Sequence, residues 1–124
     1  MDVIHTCIWV SDMDAAREFY LDGIGLEEHR SATLGGVENV WLGGEHGEIQ
    51  LRYAEDHPDP APDRGDFDHL ALSVDDVDGE VERIVDNTGA TVLDGPRTVD
   101  VAEARIAFLE GFDGYVIELV EDLS

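Results

Sequence analysis

The stretch HTCIWVSDMD at residues 5–14 recurs as HLALSVDDVD at residues 69–78, an offset of 64 residues. A second block, EIQLR at residues 48–52, recurs as VIELV at residues 116–120, an offset of 68 residues. The two blocks follow in the same order in both halves, and the change of offset corresponds to an insertion of four residues between them. Chance explains one such block more easily than two in the same order, so the pattern indicates a duplicated module.

Each half predicts the same order of elements, a strand followed by a helix and then by further strands. In the first half, the apolar and β-branched run 4–10 is typical of a strand. SDMD at residues 11–14 supplies the N-cap and the acidic first turn of a helix that extends to Leu21 and ends at Gly23 and Gly25. The other predicted elements are strands at 37–42, 48–53, 70–74, 104–109 and 115–120, a glycine-rich turn at 43–47, and a helix at 77–87 that closes at Gly89.

The segment 54–66 joins the two halves. It holds three of the four prolines together with five acidic residues, a composition that extends the chain and builds no core. With 124 residues, the chain is long enough for one domain of ordinary size. We therefore predict one domain over residues 1–124, made of module 1 at 1–53, an acidic, proline-rich linker at 54–66 and module 2 at 67–124.

Charge is the most unusual feature of the composition. Thirty acidic residues face seven basic ones, all of them arginine, for a formal net charge of -23. A field of this sign repels phosphate backbones and anionic lipids, which argues against nucleic-acid and membrane partners. Its self-repulsion destabilises a compact chain at low salt, so we hypothesise a halophilic protein in a high-salt cytoplasm. The single cysteine, Cys7, and the lack of a visible signal peptide also favour a cytoplasmic protein.

One face of the predicted sheets carries side chains of the kind that bind metals. Side chains alternate across a strand, so residues two apart share a face. With the apolar positions packed on the helix of each half, four ligand-type residues lie opposite, at positions made equivalent by the duplication: His5, Gln50, His69 and Glu118. Two imidazoles, an amide oxygen and a carboxylate suit a divalent transition metal, with room left for water or substrate.

Three further side chains share this predicted face. Arg52 either holds an anionic group of the substrate or forms a surface ion pair, and both alternatives stay open at this point. Cys7 and Trp9 are expected to line the wall of the pocket. The remaining histidines fall in predicted turns or in the linker and are expected to be solvated: His29, His46 and His57.

Several of these strings together resemble the vicinal oxygen chelate superfamily, and most nearly glyoxalase I (lactoylglutathione lyase). Besides His5, they are SDMDAAREFY at 11–20, GIGL at 23–26, FDHLALSVDD at 67–76 and DGYVIELVE at 113–121. The resemblance covers nearly the whole chain. It implies an α+β fold of two paired βαβββ modules, whose curved mixed sheets enclose a concave metal site that is often completed across a homodimer.

The resemblance also implies a ligand set and a reaction. In bacterial glyoxalase I the metal ligands are His, Glu, His and Glu, which carry over to His5, Gln50, His69 and Glu118. One divalent ion (Zn, Ni, Co, Mn or Fe(II)) and no organic cofactor are expected. The implied activity is that of a lyase or isomerase that removes a proton next to a carbonyl, with Glu118 as the base and the metal stabilising the oxyanion.

The expected substrate is a small adduct of a 2-oxoaldehyde with a thiol, or a related carbonyl compound. The arginine and asparagine that anchor glutathione in glyoxalase I align with Trp9 and Ala54, so a thiol other than glutathione is expected. Relatives similar to bleomycin-resistance proteins bind drugs in the same cleft without a metal. Trp9 and Trp41 would serve as aromatic walls in that alternative.

Gln50, which stands where a carboxylate ligand is usual, opens two further alternatives. A His/Gln/His/Glu set resembles methylmalonyl-CoA epimerase, although the strings typical of that family around its second histidine and final strand are absent. If Gln50 stays off the metal, a two-histidine, one-carboxylate triad remains, as in Fe(II)-dependent dioxygenases. That triad consists of His5, His69 and Glu118.

Overall fold

The computed structural model describes residues 1, 3–62 and 67–124, so residues 63–66 of the predicted linker lie outside the described part of the chain. The chain divides into two compact units, residues 1–60 and 61–124. Each unit contains one four-stranded mixed sheet and a helical segment after its first strand. The expected α+β class and its repeated strand–helix–strand order are confirmed.

The first unit combines four strands with one helical segment. Its strands are β1 (His5–Trp9), β2 (Glu27–Leu34), β3 (Val37–Gly43) and β4 (Glu48–Tyr53). Between β1 and β2 the chain forms a short α-helix, α1 (Met13–Arg17), and then a π-helical stretch (Glu18–Ile24). The strand order is β1-β4-β3-β2, with β1 parallel to β4 and the other pairs antiparallel. β4 therefore lies inside the sheet.

The second unit repeats this topology. Its strands are β5 (Leu70–Ser73), β6 (Thr91–Val99), β7 (Ala104–Glu110) and β8 (Val116–Asp122), and its helix is α2 (Val77–Thr88). The strand order is β5-β8-β7-β6, again with a parallel first pair and antiparallel pairs beyond it. No helix in the described ranges is long and apolar enough to cross a membrane.

The same capping chemistry starts both helices. Asp12 accepts a hydrogen bond from the backbone N–H of Ala15 at 2.9 Å, and Asp76 accepts one from that of Gly79 at 3.3 Å. An N-cap carboxylate satisfies a helix donor that has no other partner and favours the positive end of the helix dipole. At the other end of α2, Gly89 adopts a φ of 74°, which a side chain would disfavour.

The first helix departs from the prediction in its C-terminal half. The sequence predicts an α-helix up to Leu21 that ends at Gly23 and Gly25. The chain instead becomes π-helical from Glu18 to Ile24, and it does end at Gly25, with a φ of 102°. Tyr20 and Ile24 are both buried. The wider π-helical turn thus coincides with burial of two large side chains, a tertiary preference that local helix signals do not contain.

Burial alternates along the two inner strands, as a period of two residues requires. The buried apolar positions of β4 and β8 are Ile49, Leu51, Ile117 and Leu119. Gln50, Arg52 and Glu118 occupy the intervening positions and are half-buried. The predicted ligand positions therefore face away from the apolar core of each unit.

The outer strands β2 and β6 were not predicted from the residues. Each lies at a sheet edge with a single neighbour, and most of its side chains are exposed. Edge strands with two solvated faces need no apolar alternation, so the period-two signal is absent. Only the resemblance to βαβββ modules implied a third strand after each helix.

Candidate metal centre

The second unit brings two of the four predicted ligands together. His69 immediately precedes β5, and Glu118 lies on the adjacent parallel strand β8, opposite Ala71. His69 Nε2 is 3.1 Å from Glu118 Oε1, and the two side chains are 31% and 16% exposed. Phe108 lies opposite Glu118 on β7 and packs edge to face against the His69 ring, with centroids 5.4 Å apart. The pair is thus held on one side by an aromatic ring and remains accessible.

The other side of the His69 ring indicates which nitrogen can bind a cation. Nδ1 is 2.6 Å from Oδ2 of Asp68, and a carboxylate only accepts hydrogen bonds, so Nδ1 carries a proton. With the proton on Nδ1, the other ring nitrogen, Nε2, faces the Glu118 carboxylate. Two electron-pair donors at 3.1 Å require a shared positive charge, either a second proton or a metal ion. A ligand histidine whose other nitrogen donates to a carboxylate is usual at metal sites, so this donor pair fits a divalent transition metal.

In the first unit, Asn39 determines the orientation of the Gln50 amide. Asn39 lies opposite Arg52 on β3 and is 3% exposed. Its Nδ2 donates to the carbonyls of Val37 and Ala32 at 3.2 and 3.5 Å, which leaves Oδ1 as the acceptor toward β4. Gln50 Nε2 donates to this oxygen at 2.9 Å. The atom of Gln50 that remains for a cation is therefore Oε1, the end of the amide that a metal ion needs.

His5 occupies the position in the first unit that His69 has in the second. β1 and β4 pair so that Cys7 lies opposite Gln50, which places His5 two residues from Gln50 in register and on the same face. His69 is likewise two residues from Ala71, the residue opposite Glu118. The His5 side chain is exposed. Each unit therefore carries one histidine and one oxygen donor at corresponding places in its sheet.

Cys7 shares this face but lacks the environment of a reactive thiol. Burial raises the pKa of Cys7, and the nearby charge of Arg52 lowers it by less. A thiol with a raised pKa remains protonated at neutral pH, and only the thiolate is a strong nucleophile. These features are consistent with the expected role of a wall residue.

A cationic and aromatic cluster lies beside Gln50. Arg52 Nε donates to Asn39 Oδ1 at 3.1 Å, and its guanidinium carbon lies 4.9 Å from the ring centroid of Trp9. His57 stacks on Trp9 with centroids 3.6 Å apart and ring planes 7° from parallel. His57 is exposed, as expected of a solvated residue, and it also contacts the sheet. Nothing in the proline-rich segment 54–66 signals that its histidine returns to the sheet.

His29 is exposed, as expected, but it does not lie in a turn. It lies on β2, with Nδ1 2.7 Å from Glu48 Oε2 and Nε2 3.1 Å from the Gly44 carbonyl oxygen. Arg30 contacts the other oxygen of Glu48 at 3.2 Å. The hydrogen bond from His29 holds the pKa of Glu48 below its ordinary range; desolvation opposes this effect, and Arg30 adds to it. His46 is exposed, as expected.

A separate group of carboxylates in the described ranges lies within 4.8 Å of one another and consists of Asp76, Asp78 and Glu121. Each already has a structural partner. Asp76 caps α2, Asp78 pairs with Arg105 at 2.6 Å, and Glu121 accepts a hydrogen bond from the N–H of Val77 at 2.8 Å. These contacts account for the group as the anchor of the helix start.

Two βαβββ units with nitrogen and oxygen donors on the sheet face opposite the core define a protein of the glyoxalase and bleomycin-resistance class. The chain belongs to the Glyoxalase/Bleomycin resistance protein/Dioxygenase superfamily, which it matches over residues 3–119. The resemblance found in the sequence is thereby confirmed.

Relatives within this superfamily carry a more specific name. The chain is 31% identical to the probable lactoylglutathione lyase of Synechocystis sp., over 100% of this chain and 98% of that protein. It is 32% identical to the lactoylglutathione lyase of Haemophilus influenzae, over 100% and 95% of the two chains. A solved glyoxalase/bleomycin resistance protein from Streptomyces sp. CB03234 is 25% identical, with a TM-score of 0.72 over 95% of this chain and 98% of that one.

Proposed function

We propose that this chain is a metal-dependent lyase or isomerase of the glyoxalase I type, in which His5, Gln50, His69 and Glu118 hold one divalent cation. The observation that carries the proposal is the His69–Glu118 pair, 3.1 Å apart, with Asp68 hydrogen-bonded to the far side of the ring. The relatives named lactoylglutathione lyase support the reaction class. Each unit contributes one nitrogen and one oxygen ligand, either within one chain or across a homodimer.

Glu118 is the residue proposed to move the proton, because it is the only carboxylate of the set. A bound divalent cation supplies Lewis acidity that stabilises negative charge on the substrate oxygens. Glu118 takes the proton from the carbon next to the carbonyl and returns it to the neighbouring carbon, while the hydroxyl proton passes to the former carbonyl oxygen. The adduct of a 2-oxoaldehyde and a thiol thereby becomes a 2-hydroxy thioester with no atom gained or lost. Phe108, packed against His69, keeps water from one side of this pair.

The four proposed ligands indicate the class of metal ion and the class of substrate, but neither the particular metal nor the particular substrate. Zn, Ni, Co, Mn and Fe(II) all accept nitrogen and oxygen ligands, and a proton transfer needs no organic cofactor. The proposed substrate is a small-molecule adduct whose thiol differs from glutathione, because Trp9 and Ala54 stand at the two anchor positions. Arg52, Trp9 and Cys7 are proposed to contact this substrate.

Metal content tests the proposal directly. Wild type, His69→Ala and Glu118→Ala are loaded with Zn²⁺ or Ni²⁺, desalted and analysed for metal, with His46→Ala as the matched control because that histidine is exposed and outside the set. We expect both ligand variants to lose the metal and the control to retain it. Undiminished metal in both ligand variants would overturn the proposal.

Substrate screening then separates the reaction classes. Solvent-deuterium incorporation into hemithioacetals supports the glyoxalase reaction, whereas incorporation into 2-methylacyl thioesters supports an epimerase. Oxygen uptake by the anaerobically prepared Fe(II) form would instead indicate a dioxygenase that uses His5, His69 and Glu118.

Metal-free binding of a small aromatic molecule is a second candidate function. The stacked pair of Trp9 and His57, with centroids 3.6 Å apart, favours it because a planar ligand can take the place of the imidazole. The Streptomyces relative belongs to the glyoxalase/bleomycin resistance type by name. Tight binding of a planar ligand that persists in EDTA, with no metal retained by wild type, would favour this candidate over the enzyme.

A further inference from the structure

We infer that Arg52 binds an oxyanion of the substrate, so that the substrate of the proposed reaction carries a carboxylate or a phosphate group. The reaction part of this inference rests on the proposed function. The anion site itself rests on the contacts of Arg52 and can be tested without turnover.

The pairing of the arginines in the described ranges sets Arg52 apart from the others. Five of the six arginines in the described ranges contact a carboxylate at 2.6–3.2 Å: Arg17 with Glu28, Arg30 with Glu48, Arg83 with Glu80, Arg97 with Asp94 and Arg105 with Asp78. The contacts of Arg52 are instead the neutral oxygen of Asn39 and the ring of Trp9. In a chain with 30 acidic residues and seven arginines, a cation without a carboxylate needs a specific reason. The alternative of a surface ion pair is therefore not what the described residues form.

The surroundings of Arg52 fix the side chain without neutralising it. Its Nε donates to Asn39 Oδ1 at 3.1 Å, and Asn39 is itself fixed by its hydrogen bonds to the Val37 and Ala32 carbonyls. The Trp9 ring, 4.9 Å from the guanidinium carbon, supports the group from another side. The charge is thus held on a strand by neutral contacts, which preorganises it for an anionic partner.

Arg30 provides the contrast within the same unit. Its guanidinium carbon lies 4.5 Å from the ring centroid of Trp41, a contact like that of Arg52 with Trp9. Arg30 is nevertheless paired with Glu48 at 3.2 Å. The two arginines share the aromatic contact and differ in the carboxylate, so Arg30 serves as the matched control.

The position of Arg52 determines where the anionic group of the substrate lies. Because Nε is already bonded to Asn39, the two terminal nitrogens remain to bind an oxyanion. Arg52 is two residues beyond Gln50 on β4, which separates their Cα atoms by about 7 Å along the strand. The proposed substrate therefore carries its oxyanion several bonds from the reacting carbonyl. With a small 2-oxoaldehyde as the other half of the adduct, this assigns the oxyanion to the thiol portion.

Two non-reactive probes that share a methylthioethyl group and differ in charge test this site. The proton–nitrogen NMR signal of Arg52 Nε is followed while 3-(methylthio)propionate or the neutral 2-(methylthio)ethanol is added in 1 M KCl, which screens the net charge of -23. We expect the carboxylate probe to bind wild type at least about tenfold more tightly than the neutral one, as a charge-assisted hydrogen bond implies. Inorganic phosphate in a third titration distinguishes a phosphate site from a carboxylate site by which anion binds more tightly.

The variants decide whether Arg52 is responsible. Binding of the two probes to each variant is measured by tryptophan fluorescence. Arg52→Gln should abolish the preference for the anionic probe, whereas Arg30→Gln should leave that preference unchanged. No preference in wild type, a preference that survives Arg52→Gln, or equal loss in Arg30→Gln overturns the inference. If Arg52→Gln proves unfolded by circular dichroism, the wild-type Nε signal decides, and a signal that does not move with either anion also overturns it.

Turnover separates this inference from the proposed function. The hemithioacetals of methylglyoxal with 3-mercaptopropionate and with 2-mercaptoethanol are compared in wild type and Arg52→Gln, and the variant should raise KM about tenfold for the anionic adduct alone. Turnover of both adducts with equal KM overturns the anion site and leaves the proposed function standing. If neither adduct is turned over but the anionic probe still binds, the proposed function is overturned and the anion site stands.

Discussion

The two units have the same strand order and register but carry different chemistry at corresponding positions. In the first unit Asn39 lies opposite Arg52, whereas in the second unit Ile106 lies opposite Val120. The polar pair is part of the hydrogen-bond network that reaches Gln50, and the apolar pair has no such network.

The oxygen donors differ in the same way. Gln50 has its amide nitrogen bonded to Asn39 at 2.9 Å, whereas Glu118 has its carboxylate oxygen 3.1 Å from His69. A duplicated scaffold thus holds one neutral oxygen beside a fixed cation, Arg52, and one anionic oxygen beside an imidazole. In the reaction that we propose, the first unit binds the substrate anion and the second transfers the proton, so the two units have different roles.

Exchanging the two oxygen donors has the largest expected effect. Glu118→Gln removes the only carboxylate of the set and should lower kcat about 10²–10⁴-fold, the usual contribution of a general base. Gln50→Glu should lower it only about tenfold, because a carboxylate at that position faces the Asn39 oxygen at a cost of about 1–2 kcal/mol. Both rates are measured with the hemithioacetal that wild type turns over.

A larger loss of kcat in Gln50→Glu than in Glu118→Gln would contradict the different roles of the two units. Metal analysis of both variants is the control, since an amide or a carboxylate oxygen still binds a cation. A loss of rate with the metal retained assigns the effect to proton transfer.

Substitution of Asn39 has the next largest expected effect, on both stability and metal affinity. Asn39→Leu keeps the size of the side chain but leaves the Gln50 and Arg52 donors without their acceptor, which should cost about 1–3 kcal/mol of unfolding free energy. The Gln50 amide then rotates freely, and Zn²⁺ affinity by calorimetry should fall about tenfold, the equivalent of about 1.4 kcal/mol.

Two control variants separate the network from general packing. Asn39→Asp retains an oxygen toward both donors but loses the hydrogen bonds to the Val37 and Ala32 carbonyls, so it should lower stability while keeping more of the metal affinity than Asn39→Leu. Ile106→Val, at the corresponding place in the second unit, should cost about 0.5–1.5 kcal/mol of stability and leave the affinity unchanged. Equal affinity in Asn39→Leu and wild type would mean that Asn39 does not orient the ligand.

The inner part of the fold was predictable because it obeys simple periods. The duplicated blocks, the alternation around Gln50 and Glu118, and the Asp12 and Asp76 caps all lie in segments where local pattern and tertiary packing agree. The edge strands β2 and β6 and the π-helical stretch were missed, because their structure depends on a neighbouring strand or on burial that no local period reports.

The candidate site was predictable in its donors but not in the residues that position them. His69 and Glu118 could be placed on one face by counting along two strands. Asn39 has no signal in the sequence beyond a polar residue in an apolar strand, and its meaning depends on being opposite Arg52. His57 could not be found either, since a stacking contact made from a loop has no periodicity.

Acidic residues occur throughout both units, so salt should affect the two alike. The net charge of -23 favours a chain whose self-repulsion is relieved when KCl shortens the screening length to about 3 Å at 1 M. We expect the urea midpoint to rise between 0.1 and about 2 M KCl, measured by circular dichroism. Equal rises in wild type and Arg52→Gln would show that the effect is general, and no rise in wild type would remove the halophilic hypothesis.

The smallest expected effect concerns Glu48, whose counterpart in the second unit is the apolar Val116. His29 and Arg30 contact Glu48, and the resulting lowered pKa means that the folded chain binds this proton more weakly than the unfolded one. The stabilisation is therefore complete above the unfolded pKa and is lost as the pH falls through the folded pKa, that is, at and below about pH 4.5.

Glu48→Gln tests this difference between the units. The variant should have a slightly lower Tm than wild type at pH 7, since the pair is near the surface and solvent screens it. The two Tm values should converge as the pH is lowered, because wild type then also carries a neutral group at this position. Glu45→Gln, an exposed acid in the preceding turn, is the control and should shift Tm little at any pH. A Tm difference that stays constant between pH 7 and pH 3 would show that Glu48 stabilises the fold through packing rather than through its charge. Glu48 in the first unit and Val116 in the second would then stabilise their units in the same way.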